Sequence, residues 1–172
     1  MANRLQYISS KIVSHVDAKR IIEGWKLRGD EIVFTNGCFD ILHKGHVSYL
    51  AQAAAEGNKL VLALNTDASV KRQGKGEDRP INHEDARAFV LAGLGFIDLI
   101  VFFEEDTPEN IIELLSPDVL AKGADYDPDE TDRNSKKYIV GSEHVKANGG
   151  RVVAIPFVEG FSTTSIINKA KG

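Results

Sequence analysis

Five short apolar runs, separated by stretches with helical spacing, constrain this chain more than any other feature. Ile32-Val33-Phe34, Leu60-Val61-Leu62-Ala63-Leu64, Leu99-Ile100-Val101-Phe102-Phe103, Val119-Leu120 and Val152-Val153-Ala154-Ile155 are continuously apolar rather than alternating. That pattern suits strands buried on both faces of a parallel sheet. The intervening segments read as helices. Val47, Leu50, Ala51 and Ala54 give His46 to Glu56 one apolar face, and Ala86, Phe89, Val90 and Gly93 do the same for His83 to Leu94. Thr107-Pro108-Glu109 opens another, with Thr107 as N-cap, Pro108 in the first helical position, Ile111, Ile112 and Leu115 inward and Pro117 at its end. Such alternation predicts an α/β chain, a Rossmann-like open parallel sheet of about five strands with helices on both faces.

Ahead of the first strand, Val16 to Arg28 reads as an amphipathic helix with Ile21, Ile22 and Trp25 inward, stopped by Gly29. We read residues 1–30 as a helical appendage to a single domain spanning 1–172, and its apolar helix as an available homodimer surface. Lys71 to Asp78 and Asp125 to Ser135 are polar and are predicted to be loops. A chain of 172 residues suits one core. Its formal charge of -4 and pI near 5.7 argue against a nucleic-acid partner, while leaving room for a local cationic pocket. One cysteine excludes an internal disulfide framework and fits a reducing compartment. The longest uncharged stretch, Gly45 to Ala55, has 11 residues against the roughly 20 a bilayer span needs. With no apolar signal core at the start, the expectation is a cytoplasmic protein without membrane contact.

Chemistry concentrates where the first strand ends, in Thr35-Asn36-Gly37-Cys38-Phe39-Asp40-Ile41-Leu42-His43-Lys44-Gly45-His46. The segment predicts a strand end, a turn and a helix beginning near Gly45. In open parallel sheets ligands gather at that edge, and a helix start offers free N–H groups and positive potential to a phosphate. His43 and His46, three apart in the first turn, can point the same way. Two imidazoles there suit charge neutralisation on a transferring phosphoryl group. Alone, such a pair also fits ordinary surface or core positions, or a metal site, although no Cys or His cluster stands ready to complete one. Neither a G-x-G-x-x-G after the first strand nor a G-x-x-x-x-G-K-[ST] occurs.

Gly37-Cys38-Phe39-Asp40 with His43-Lys44-Gly45-His46 resembles the signature of the HxGH nucleotidyltransferase superfamily that includes the glycerol-3-phosphate cytidylyltransferases. Gly160-Phe161-Ser162-Thr163-Thr164-Ser165-Ile166 is similar to that superfamily's C-terminal signature. Asp78-Arg79-Pro80-Ile81, Pro117-Asp118-Val119-Leu120, Lys122-Gly123-Ala124-Asp125-Tyr126, Gly141-Ser142-Glu143 and Asn148 to Val153 resemble a narrower group, the D-glycero-β-D-manno-heptose 1-phosphate adenylyltransferases that form one half of ADP-heptose synthases. The likeness runs from Lys11 onward. The cytidylyltransferases carry Arg-Thr before the C-terminal Gly, where this chain has Phe157-Val158 or Val158-Glu159.

The resemblance implies AMP transfer from ATP to a sugar 1-phosphate with release of pyrophosphate, and Mg²⁺ carried mainly by the nucleotide phosphates rather than by a dedicated protein site. His43 and His46 become the expected catalytic pair. Thr35, Asn36, Gly37, Cys38 and Phe39 are expected to line the nucleotide site, mainly through backbone contacts, joined by Lys122, Gly123, Ser162, Thr163 and Thr164. Phe39 equally suits the core, and Asp40 a bracing role. Lys71, Lys75, Arg79 and Arg87 are the candidates for substrate phosphate, with a surface salt bridge as the other reading of Arg87. A cytidylyltransferase acting on glycerol 3-phosphate, and a nucleotide-binding module without catalysis, are the competing functions.

Overall fold

The computed structural model describes residues 3–74 and 78–171. Five strands, β1 (Ile32–Gly37), β2 (Lys59–Asn65), β3 (Leu99–Phe103), β4 (Val119–Gly123) and β5 (Arg151–Ile155), form one parallel sheet in the order β3-β2-β1-β4-β5. Around them lie α1 (Arg4–Ser9), α2 (His15–Lys26), α3 (Lys44–Ala54), α4 (Asp67–Arg72), α5 (Glu84–Ala92), α6 (Glu109–Leu115), α7 (Ser142–Ala147) and α8 (Thr163–Lys171). From β1 the chain builds outward through β2 to β3, then returns to the other side of β1 for β4 and β5. The order reverses between β1 and β4, which opens a crevice at their C-terminal ends.

Alternate side chains of each strand feed two apolar layers. Val33, Leu60, Leu62, Leu64 and Ile100 pack with Tyr49, Leu50 and Ala53 of α3 and with Ala88, Leu91 and Ala92 of α5. Ile32, Phe34, Val61, Ala63, Leu99 and Val101 meet Ala18 and Ile22 of α2, Ile111, Ile112 and Leu115 of α6, and Val145 of α7. Both faces are covered, which is why the strands read as unbroken apolar runs. Each fully buried Leu, Ile, Val or Phe contributes about 1.5–3 kcal/mol.

The N-terminal segment is closely packed on the sheet: Ala18 and Ile22 are in the core, and Ile12 bridges to Ile100, whose N–H donates to Lys11 O at 2.8 Å. Of the apolar side chains that suggested a dimer surface, Ile22 is buried, while Ile21 and Trp25 pack partly buried against the same core. Several helix readings are corrected. On α5 the inward stripe is Arg87, Ala88, Leu91 and Ala92, while Phe89 and Val90 are exposed. A stripe containing a cation does not score as apolar, so its neighbour was the more visible face. On α3 the buried set is Gly45, Tyr49, Leu50 and Ala53. Pro108 rather than Thr107 occupies the cap place of α6. Lys71 and Arg72 close α4 instead of opening a loop. No helix among the described residues is long and apolar enough to cross a membrane.

Candidate active site

The crevice between β1 and β4 holds a cavity of about 460 Å³, walled by the β1–α3 turn, the end of β4, and the loop between β5 and α8. On the first wall the turn is tightly specified. Phe39 takes a left-handed conformation, φ 43°, and folds its ring over Gly37, where a Cβ would lie 2.7 Å from Phe39 Cε2. Asp40, with a fully buried side chain, accepts from Arg79 Nε and from the N–H groups of Ile81 and Asn82, both at 2.9 Å. Its own carbonyl accepts from Asn82 Nδ2 at 2.7 Å. The bracing role expected of Asp40 is thus fulfilled, with Arg79 as its charged partner.

His43 is the N-cap of α3: its Nδ1 accepts from the His46 N–H at 3.3 Å. With Nδ1 an acceptor, the neutral ring carries its proton on Nε2. That nitrogen is shielded from solvent and has no hydrogen-bond partner among the described residues. Burial holds the His43 pKa below the ordinary histidine value, which favours this neutral, donating form. The His46 ring stacks on it, centroids 3.7 Å apart at 19°, and meets the Phe39 ring edge-on at 5.1 Å. Gly45 between them leaves space that a Cβ would take from His43 and from Phe161, each 3.1 Å away.

On the opposite wall Lys122 extends from β4 across to β1, donating to Asn36 Oδ1 with its ammonium 5.6 Å from the Tyr126 ring centre. Burial lowers its pKa to about 8, partly offset by Asp125. Next to it, Gly123 is covered by Phe157: a Cβ there would lie 2.1 Å from Phe157 Cζ. The Phe157 ring also stacks at 6.3 Å on Tyr49, whose hydroxyl bonds Thr35 and donates to Ala121 O. Ser162 caps α8, accepting from the Ser165 N–H at 3.1 Å, and Ser162 and Thr163 face the cavity.

Of the sequence-predicted residues, Asn36, Gly37, Cys38, Phe39, His43, His46, Arg79, Lys122, Gly123, Ser162 and Thr163 are brought to this cavity. Thr35 is not: it is fully buried behind the wall with its hydroxyl on Tyr49 at 2.7 Å. Thr164 also stands outside the lining, and Lys71 lies exposed in the last turn of α4. Lys75 falls outside the described residues. Arg87 departs most from expectation. Its fully buried guanidinium donates to four protein acceptors, and Arg87 does not line the site cavity. Sequence reasoning missed Tyr49, Gln73, Tyr126 and Phe157 as lining residues. The aromatic at 157 was visible only as a departure from the Arg-Thr pattern.

Residues 34–169 match the model of the cytidylyltransferase-like family. Among curated relatives, the bifunctional protein HldE of Marinomonas sp. (strain MWYL1) is 53% identical over 92% of this chain, and that of Azorhizobium caulinodans is 50% identical over 93%. Both matches cover 32% of the relative, so the chain spans about a third of the length of the curated relatives it matches. A solved structure, the lipopolysaccharide core biosynthesis protein from Thermoplasma volcanium GSS1, superposes with TM-score 0.58 at 25% identity, covering 76% of this chain and 98% of that one. Pantoate-β-alanine ligase from Francisella tularensis, solved in complex with beta-gamma ATP and β-alanine, shares the fold alone, with TM-score 0.59 at 13% identity over 93% of this chain and 76% of that one. A five-stranded Rossmann-like sheet, a paired-histidine turn at its switch point and a family match over most of the sequence lead to one assignment: the chain belongs to the cytidylyltransferase-like family of nucleotidyltransferases.

Proposed function

We propose that the chain transfers AMP from ATP to D-glycero-β-D-manno-heptose 1-phosphate, forming ADP-heptose for lipopolysaccharide core assembly and releasing pyrophosphate, in the cytoplasm. The observation that carries this reading is the stacked His43–His46 pair at the start of α3, beside the β1–β4 switch point. The heptose-adenylyltransferase motifs, the HldE relatives and the neighbour named for lipopolysaccharide core biosynthesis support the choice of substrates.

A sugar 1-phosphate is ionised at neutral pH, so its oxygen needs no strong base. It attacks the α-phosphorus in line; the new P–O bond forms as the bond to the β-phosphate bridging oxygen breaks, and pyrophosphate leaves with the electron pair. Catalysis then rests on positioning and charge stabilisation. The Nε2–H of His43 donates to phosphate oxygen, with His46 stacked beside it to meet the charge growing on the bridging oxygen. Lys122, still a cation at pH 7, offsets phosphate charge from the β4 side, and Ser162 and Thr163 offer hydroxyls and free N–H groups at the start of α8. Arg79, held by Asp40, is the cation assigned to the acceptor's phosphate.

When bound, Mg²⁺ would supply charge neutralisation to the nucleotide phosphates. The donor set suits a metal that arrives with the nucleotide: the Asp40 carboxylate is occupied by Arg79 and two backbone N–H groups, leaving Asp125 as a cavity carboxylate that can add one oxygen to the phosphates' own. Pyrophosphate release, measured with ATP or CTP against heptose 1-phosphate of each anomer and glycerol 3-phosphate, tests the reading. Fastest turnover is expected for ATP with the β-heptose phosphate. Faster turnover of CTP with glycerol 3-phosphate, or tight ATP binding without turnover, would overturn it.

A further inference from the structure

Arg87 is the largest fully buried side chain in the molecule's described residues, and it lies at the ligand edge of the sheet rather than in mid-core. Its Nη1 donates to the carbonyl of Cys38 at 2.6 Å, just after β1. Nη2 donates to the carbonyl of Asn65 at the end of β2, 2.9 Å, and to Asp67 Oδ1 at the start of α4, 2.8 Å. Nε donates to the carbonyl of Asn82 at 3.0 Å, in the segment that Asp40 holds from its other side. One guanidinium therefore ties together three segments that converge at the cavity.

Stability alone does not account for this choice. Taking a guanidinium out of water is costly, and a well-packed apolar side chain often serves a fold as well. What the fork supplies is direction, because its donors fix several acceptors at once in one plane. The Cys38 carbonyl it orients belongs to the peptide that enters Phe39, the residue with φ 43°. The Phe39 ring in turn abuts the His46 ring edge-on.

We propose that Arg87 is a positioning residue for the catalytic turn, setting the Cys38–Phe39 peptide and through Phe39 the orientation of the His46 ring in the stacked pair. This inference rests on the assignment of His43 and His46 to the reaction. It excludes direct contact between Arg87 and substrate phosphate.

The test is Arg87→Lys in the full chain, which keeps the charge but loses the planar fork. Ring ¹⁵N and ¹H resonances of His43 and His46 are compared with wild type by NMR in the absence of substrate, alongside the melting temperature, kcat and KM. Displaced His46 ring signals are expected, with kcat lowered 10- to 100-fold, KM for ATP changed less than threefold, and melting within a few degrees of wild type. Unchanged ring signals in a folded variant would overturn the proposal, whatever happened to activity. So would a raised KM at constant kcat, which is the mark of a substrate contact. Should Arg87→Lys fail to fold, Asp67→Asn loosens the same fork while leaving the guanidinium in place, and the same ring displacement must then appear. The ring signals need no turnover, so a different substrate would leave this test intact.

Discussion

The turn that leaves β1 and the loop that leaves β5 face each other across one cavity, but they are secured by different physics. Around the first, buried charge and directional hydrogen bonds act on residues 38–40: Asp40 grips Arg79 and two backbone N–H groups, and Arg87 grips the Cys38 carbonyl. Across the cavity, the loop is seated by aromatic rings over glycines, Phe157 above Gly123 and Phe161 beside Gly45, and those rings stay 58% and 44% exposed. On the proposed function, fixed geometry lies where phosphoryl charge must be met within tenths of an ångström. Partly exposed apolar contact lies on the wall that the β5–α8 loop contributes to the cavity.

The strongest way to break this contrast is Asp40→Ala, which strands Arg79 and two N–H groups. Breaking a buried pair costs about 3–5 kcal/mol, so a melting temperature lower by on the order of 10 °C is expected for a domain of this size. A drop under about 2 °C would mean that the turn does not depend on its buried carboxylate. Gly123→Ala probes the opposite wall. Its Cβ would collide with Phe157 Cζ and lie 2.7 Å from Asp125 Oδ1, both tips of movable side chains. Melting should hardly change, while loss of the Phe157 position raises KM for ATP roughly tenfold, the scale of about one stacking contact. A large fall in stability with unchanged KM would show the loop to be as rigid as the turn.

The smallest predicted effect sits between the two walls. Burial places the Lys122 pKa at about 8, below the ordinary 10.5, so the folded chain loses this proton before the unfolded chain does. Nucleotide-free stability should therefore rise across roughly pH 8 to 10.5, where the unfolded state binds more protons. Phosphate affinity should move the other way: KM for ATP climbs several-fold as pH passes 8, and Lys122→Arg abolishes that rise because arginine keeps its charge. A pH-independent KM in the wild type would remove Lys122 from the phosphate site.

How much of this was legible in the sequence follows the same division. The strands declared themselves because both faces of the sheet are covered, which turns Leu60 to Leu64 into an unbroken apolar run. His43 and His46 were legible because local spacing alone fixes their relation on a helix start. Arg87 was not. Its four acceptors come from segments up to 49 residues away, and no periodicity distinguishes a buried cation from a solvated one. The side-chain partner of Thr35 was hidden for a related reason: a strand-end hydroxyl can face ligand or protein, and only the fold reveals Tyr49 behind it. The contribution of Phe157 depends on the bare backbone of Gly123, again a tertiary fact.

Steady-state transfer by His46→Ala, with its melting temperature, tests the stacked imidazole pair most directly. Loss of one preorganised donor from a phosphoryl-transfer site should cost about 10²–10³ in kcat, with KM for ATP altered only a few-fold and melting close to wild type. A folded His46→Ala chain that kept a third or more of its kcat would contradict the account.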